Sequence, residues 1–142
     1  GVEMEDHAVC DDKPEMITEA IHKMLDKGMD MIICTGGMSV DPDDRTPLAI
    51  KNVAEDIVTY GAPVLPGAMF MLAYYNGDIP VMGLPGCVMY AKRTIFDLVL
   101  PRVLCNEKLK AEDLSRLGQG GLCLSCPTCT FPNCGFGKER NR

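Results

Sequence analysis

MIICTGGMSVDPDDRTP, residues 31–47, joins a short apolar run to a long polar loop. The run predicts a buried strand over residues 30–34. A helix is predicted to begin near Pro47, so about ten residues separate the two elements, where about two to six are usual in α/β units. A loop of this length after a strand is typical of the ligand-binding edge of an α/β sheet.

The glycines and hydroxyls of this loop favour an anion as the ligand. Gly36 and Gly37 leave no side chain where the backbone turns out of the strand, so its N–H groups can approach an anion. Ser39 and Thr46 can donate hydrogen bonds to the same anion, or cap the helix that follows. The loop is therefore suited to a small phosphorylated ligand.

Three carboxylates in the same loop predict a cation beside that anion. Asp41, Asp43 and Asp44 repel one another unless they are solvated or bridged, and carboxylates next to phosphates are the usual ligands of Mg²⁺. Asp43 or Asp44 can instead cap the helix at Pro47. Both interpretations stay open for a single aspartate, but a cap needs only one residue, so the whole loop indicates a functional site.

A second sharp turn, Gly83-Leu84-Pro85-Gly86, follows another predicted strand, 79–84, and precedes a predicted apolar helix, 88–103. Free N–H groups and the positive end of a helix dipole predict a second anion site there. Lys92 and Arg93 lie further along that helix, where they can reach the ligand or remain solvated surface.

The rest of the chain alternates predicted strands and helices. Further helices are predicted over 14–28, with Asp11 and Asp12 as caps, over 48–61 and over 111–117, and Pro101 is expected to kink or end the apolar helix. Less regular patterns indicate a strand within 2–9, a strand and turn over 63–67, and one or two helical turns over 68–75. This alternation is typical of a three-layer α/β/α fold with a mostly parallel sheet.

Composition and charge exclude several classes of function. A net charge of −6 argues against nucleic acid as the partner, because binding to its backbone depends on clustered Lys and Arg. No apolar run is long enough to cross a membrane, and no signal-peptide pattern opens the chain. The protein is therefore expected in the cytoplasm.

The eight cysteines are unevenly spread. Cys10, Cys34, Cys87 and Cys105 are scattered and expected to pack in the core as small hydrophobes. The other four are Cys123, Cys126, Cys129 and Cys134. Their C-x2-C-x2-C-x4-C spacing suits four-thiolate zinc or an iron–sulfur cluster, and both metals stay open. The alternative is an inert tail whose thiols pair on oxidation.

We expect an α/β domain over 1–117 and a cysteine-rich metal-binding tail over 118–142.

Three motifs carry a resemblance to a known family: Thr35-Gly36-Gly37, then Asp43-Asp44-x-Thr46, then Gly83-Leu84-Pro85-Gly86. They resemble the molybdopterin-binding domain of molybdenum cofactor biosynthesis proteins. That family includes molybdopterin adenylyltransferases, molybdopterin molybdotransferases, gephyrin and the competence-damage-inducible proteins. The resemblance covers about residues 11–105 and implies that the pterin phosphate of molybdopterin binds at these loops.

The resemblance also implies roles for single residues. Asp44 matches the acidic residue that is associated with Mg²⁺ and catalysis in the family, and Asp43 lies beside it. The residues that match or adjoin the ligand-cradling turns are Thr35, Gly36, Gly37, Ser39, Thr46, Gly83, Pro85 and Gly86. Relatives begin with a further strand and helix that have no counterpart before Asp11, so the chain resembles the later portion of a longer protein.

The loop does not match one reaction of the family. Ser39 matches the molybdotransferase version, whereas Thr46-Pro47 matches the adenylyltransferase version. Leu48 stands where the latter usually has Glu, and Asp41 replaces the molybdotransferase glycine. Nucleotidyl transfer from ATP and metal insertion therefore both stay open as activities.

The resemblance implies cofactor assembly or delivery as the leading function. One alternative is a cofactor carrier or sensor that does no catalysis and uses the cysteine motif as a metal knuckle. Another is a nucleotide-cofactor hydrolase like the competence-damage-inducible proteins. The family also implies a homo-oligomer, either a trimer or a dimer.

Overall fold

The computed structural model describes residues 2–139. The helices are α1 (Pro14–Asp26), α2 (Thr46–Val53), α3 (Ile95–Leu104) and α4 (Ala111–Arg116), and the strands are β1 (Ile32–Thr35), β2 (Asp56–Tyr60), β3 (Met71–Tyr75) and β4 (Ile79–Leu84). Short 3-10 helices lie at Gly86–Met89 and Leu117–Gln119. No helix in this described part of the chain is long and apolar enough to span a membrane.

Helices cover both faces of one four-stranded sheet. Successive residues of β3 alternate between two apolar clusters: Met71 and Ala73 pack with residues of α1 and α2, whereas Leu72 and Tyr74 pack with residues of α3 and α4. This alternation follows from the two-residue period of a strand. The predicted three-layer α/β/α fold is confirmed.

The sheet is mixed rather than mostly parallel, which corrects the prediction. The strand order is β1-β4-β3-β2, and only the β1–β4 pair is parallel among the pairs described. The cause is the turn at 76–78, in which Asn76 has a φ of 49° and Gly77 a φ of 78°. Such a short turn joins antiparallel neighbours, whereas parallel strands need a long crossover.

Two segments predicted as helix are strands. The helix predicted over 48–61 ends at Val53, and β2 follows it at Asp56–Tyr60. The helical turns predicted over 68–75 are replaced by β3, whose first four residues are buried. β3 is buried on both faces and gives a continuous apolar run, which periodicity alone does not separate from a helix.

The first helix starts as predicted but is capped differently. Lys13 occupies the N-cap position of α1 without a side-chain cap bond, so Asp11 and Asp12 do not cap it. The structure assigns no strand to residues 2–10, which corrects the prediction of one within 2–9.

The apolar helix predicted over 88–103 begins later, at Ile95. Thr94 forms a capping box there, because its Oγ1 accepts from the Phe96 N–H at 3.2 Å while its own N–H donates to Asp97 Oδ2 at 2.8 Å. Pro101 lies inside α3 and does not end it. The segment between β4 and α3 is consequently a 3-10 turn followed by a loop.

Candidate functional site

The two loops singled out in the sequence leave the same edge of the sheet. β1 and β4 are parallel neighbours, with Cys34 opposite Gly83 and Thr35 opposite Leu84. The first loop (residues 36–45) and the second turn (residues 83–86) therefore lie side by side. Such an edge, beyond the carboxyl ends of parallel strands, is where α/β proteins bind ligands.

Packing of Met38 against Gly83 joins the loop to the turn. Met38 is only 2% exposed. A Cβ at Gly83 would lie 2.6 Å from both Sδ and Cε of Met38 and 3.1 Å from Cδ1 of Ile50. The structure thus gives Gly83 a packing role, since only glycine leaves room for Met38.

Gly36 and Gly86 keep the backbone open on either side of this contact. Both are exposed, and a Cβ at either position would meet nothing within 4 Å. Gly36 has a φ of +85°, which L side chains rarely adopt. Accessible main chain on two adjacent strand ends is the feature that an anion site requires.

Thr46 holds the first loop closed. It is buried, and its Oγ1 donates to the Gly36 carbonyl at 2.9 Å. A Cβ at Gly37, whose φ is +57°, would lie 2.8 Å from this Oγ1 and 2.9 Å from Oδ1 of Asp12. The Thr46 hydroxyl is therefore engaged within the protein, and Gly37 is required by both conformation and space.

Asp12 lies beside the first loop, although the sequence suggested only a helix cap. A Cβ at Gly37 would lie 2.9 Å from Oδ1 of Asp12, so the residues just before α1 adjoin the first loop. The N-terminus of α1 must then lie near the carboxyl end of β1, where the first loop begins.

Asp44 organises the first loop. Its Oδ2 accepts hydrogen bonds from the N–H and the Oγ of Ser39, both at 2.5 Å. Asp41 forms a local turn by accepting from the Asp43 N–H at 3.0 Å. The Asp43 side chain is 94% exposed and lies 3.7 Å from Nη2 of Arg45. Arg45 itself is the N-cap residue of α2, without a side-chain cap bond, so the interpretation of Asp43 or Asp44 as its cap is wrong.

The second turn lacks the long helix expected after it. Pro85 is extended, with φ −67° and ψ 153°, and is followed only by the four-residue 3-10 helix. One turn contributes little dipole, so the predicted helix-dipole anion site is not present there. The part of this turn that a ligand can approach is the exposed backbone at Gly86.

Lys92 and Arg93 contact residues 118–139, the tail. The Lys92 ammonium donates to the Cys126 carbonyl at 3.4 Å. The Arg93 guanidinium lies 5.0 Å from the centre of the Phe131 ring and 3.6 Å from Asp97. From the sequence, these two side chains could either reach the ligand or remain solvated surface. In the structure they contact the tail instead.

The tail is docked on the α/β body. Phe136 is 3% exposed and belongs to the core cluster of α3 and α4. The Leu65 N–H donates to the Gly121 carbonyl at 2.9 Å, and the Cys123 N–H donates to the Leu65 carbonyl at 2.8 Å. A Cβ at Gly137 would lie 2.1 Å from Leu98, which shows how closely the tail approaches α3.

The four tail cysteines line one cavity of about 380 Å³, the cysteine cavity. Cys123 and Cys134 are half-buried, whereas Cys126 and Cys129 are exposed. Within residues 2–139, no three His, Cys, Asp or Glu side chains are arranged so that they could hold a metal ion. Neither the aspartate loop nor the cysteine cavity is therefore preassembled for a cation.

The scattered cysteines only partly follow the prediction of core packing. Cys10 and Cys105 are exposed, which corrects it, while Cys34 and Cys87 are half-buried. Burial raises the pKa of Cys34, in β1 beside the site, to about 12, with a smaller contribution from Cys10. Cys34 is therefore a thiol at neutral pH and not a nucleophile.

Comparison with known proteins defines the class to which this fold and site belong. Residues 1–104 match the family described as "Probable molybdopterin binding domain". The chain belongs to this molybdopterin-binding domain family of molybdenum cofactor biosynthesis proteins. No curated protein sequence matches it.

Solved structures support the fold. The molybdopterin biosynthesis enzyme MoaB from Thermus thermophilus superposes with a TM-score of 0.54 at 23% identity, over 70% of this chain and 71% of that one. The molybdopterin biosynthesis protein MoeA from Pyrococcus horikoshii gives a TM-score of 0.51 at 29% identity, over 68% of this chain. The match spans only 24% of the MoeA chain.

Proposed function

We propose that the first loop and the second turn bind the phosphate of molybdopterin in cofactor assembly or delivery. The observation that carries this proposal is the pair of open glycines, Gly36 and Gly86, on two adjacent strand ends. Their accessible backbone suits an anion, and family membership supplies the pterin as the ligand.

Mg²⁺ is proposed as the partner of that phosphate at Asp44. Both hydrogen bonds from Ser39 end on Oδ2, which leaves Oδ1 without a hydrogen-bond donor among residues 2–139. A carboxylate oxygen beside a phosphate is a typical Mg²⁺ ligand, and the metal keeps several waters. Mg²⁺ therefore needs few protein ligands here, which is compatible with the lack of a preassembled cluster.

A binding measurement with two glycine variants tests the proposal. Gly86→Ala adds a methyl group to the open backbone, and Gly135→Ala adds one at a tail position that is equally open. Neither position has positive φ, so both variants are expected to fold. Molybdopterin affinity, measured by fluorescence titration, should fall about tenfold in Gly86→Ala, as for loss of one hydrogen bond to a charged group. Equal affinities in the two variants would refute the phosphate site.

A cofactor carrier or sensor that does no catalysis and has a metal knuckle is the second candidate, favoured by the four cysteines that line one cavity. We propose that they bind zinc or an iron–sulfur cluster. Residues 123–130 contain no helix or strand, so exposed Cys126 and Cys129 can approach Cys123 and Cys134 when metal binds. Anaerobic metal analysis should find metal in the wild type but not in the Cys126→Ser/Cys129→Ser variant.

The activity and the assembly are separate proposals. Adenylyl transfer from Mg-ATP predicts pyrophosphate release when molybdopterin is added, whereas a carrier binds the pterin without release. Sedimentation velocity tests the proposed trimer or dimer, and a monomer at all concentrations would contradict it.

A further inference from the structure

The cysteine cavity has positive charge on its wall. Lys92 and Arg93 line it, and no carboxylate does among the residues that the structure describes. Both cations contact the tail: Lys92 through the Cys126 carbonyl at 3.4 Å, and Arg93 through the Phe131 ring at 5.0 Å.

Arg93 has one donor that no acceptor among the described residues satisfies. Its Nη1 donates to the Lys92 carbonyl at 2.7 Å and lies 3.6 Å from Asp97. Its Nε is buried without a hydrogen-bond partner in the described part of the chain. A buried N–H without an acceptor is unfavourable, because its hydrogen bond to water is lost and not replaced. Because Nε has no accessible surface, it does not face the open cavity, and Arg93 acts on this wall through its charge.

Charge balance supports a role for both cations beside a four-thiolate centre. Four thiolates on Zn²⁺ leave a net charge of about −2, after each thiol has released its proton to solvent. A half-buried net charge is stable only if it is compensated. Lys92 and Arg93 provide the positive charge of the cavity lining, and Asp97 already balances part of it at Arg93.

We propose that Lys92 and Arg93 are the compensating cations of a four-thiolate metal centre in the cysteine cavity, and that they connect it to the second turn. The inference rests on the metal site proposed above. Both residues end the segment 86–93, which starts at the open Gly86 of the ligand site. Metal binding therefore fixes the far end of this segment and restricts the mobility of residues 83–94.

Zinc titration of the reduced chain under anaerobic conditions, against a chromophoric chelator, tests the inference. Lys92→Gln and Arg93→Gln should each bind Zn²⁺ about 10- to 100-fold more weakly, as found for residues that support metal ligands. Arg93→Lys keeps the charge and should recover most of the affinity. Lys23→Gln, on the exposed side of α1, is the matched control and should bind like the wild type. Circular dichroism checks that each variant is folded.

Hydrogen exchange measured with and without Zn²⁺ tests the connection. Amides of residues 83–94 should exchange more slowly in the zinc-loaded wild type, but not in Lys92→Gln/Arg93→Gln. If the wild type binds no Zn²⁺, the metal site and the inference both fail, while the pterin site is untouched. If Zn²⁺ binds equally to all variants, or leaves exchange in residues 83–94 unchanged, the metal site stands and the inference is overturned.

Discussion

Asp44 and Asp43 are adjacent in the sequence but differ in their surroundings. The Asp44 carboxylate is half-buried and receives both donors of Ser39, while the Asp43 side chain is almost fully exposed. The sequence separated them only through the resemblance, which matches Asp44 to the acidic residue of the family and leaves Asp43 beside it. Only Asp44 is held in a fixed position, which a cation ligand requires.

Asp44→Asn is predicted to abolish the effect of Mg²⁺ on molybdopterin affinity, a loss of about tenfold or more, because the hard cation loses its anionic ligand. The amide oxygen still accepts from Ser39, so the loop should stay folded. Isothermal titration with and without Mg²⁺ measures the effect. Asp43→Asn is the matched comparison and should keep most of the Mg²⁺ dependence; a larger loss in Asp43→Asn would reverse the assignment.

The raised pKa of Cys34 predicts that the protein becomes less stable at alkaline pH. Burial raises its pKa from 9.0 to about 12, so between these values the native thiol keeps a proton that the unfolded chain releases. The free energy of unfolding must then fall as pH rises from about 9 to 12, by up to about 1.4 kcal/mol per pH unit. Urea denaturation at pH 8 and pH 10 should show a smaller decrease in Cys34→Ala than in the wild type. An equal decrease would show that the thiol does not contribute.

At the scale of elements, the capping box determines that α3 begins at Ile95. The preceding residues are therefore not helical, and Lys92 and Arg93 among them contact the tail. Thr94→Ala removes the Oγ1 that accepts from Phe96 and is expected to cost about 1 kcal/mol. Chemical denaturation measures this cost. Thr128→Ala, at an exposed tail threonine, should change stability by less than about 0.5 kcal/mol. Equal effects would mean that the box does not stabilise the helix.

The elements that the sequence predicted correctly have local signals. α1 has a clear helical period and a Pro at its start, and β4 is an apolar run between a turn and a Pro-Gly exit. β2 and β3 were missed because their apolar residues fit both periods. Pairing with neighbouring strands, a tertiary effect, decides between the two. The start of α3 at Ile95 did have a signal, Thr94 with Asp97 three residues later.

At the scale of the molecule, the tail is part of the core. Phe136→Ala is therefore predicted to lower the free energy of unfolding by about 3–5 kcal/mol, as for other buried aromatic residues. A single cooperative transition with a reduced midpoint is expected. Leu124→Ala, at an exposed tail leucine, should have little effect. An unchanged midpoint in Phe136→Ala would show that the tail folds apart from the α/β body.

The sequence predicted which two loops form the site, because glycines, carboxylates and strand ends are readable in it. It did not predict the contacts between distant segments. Met38 against Gly83, Asp12 beside Gly37 and Arg93 against Phe131 each join residues from different parts of the chain. Such contacts depend on how the layers pack, which no local pattern specifies.

The most direct test of the account is an NMR titration of molybdopterin into the ¹⁵N-labelled chain in the presence of Mg²⁺. The largest amide shifts are expected in residues 35–46 and 83–89, the two loops at one edge of the sheet. Shifts confined to other residues, such as those around the cysteine cavity, would contradict the assignment of the pterin phosphate to these loops.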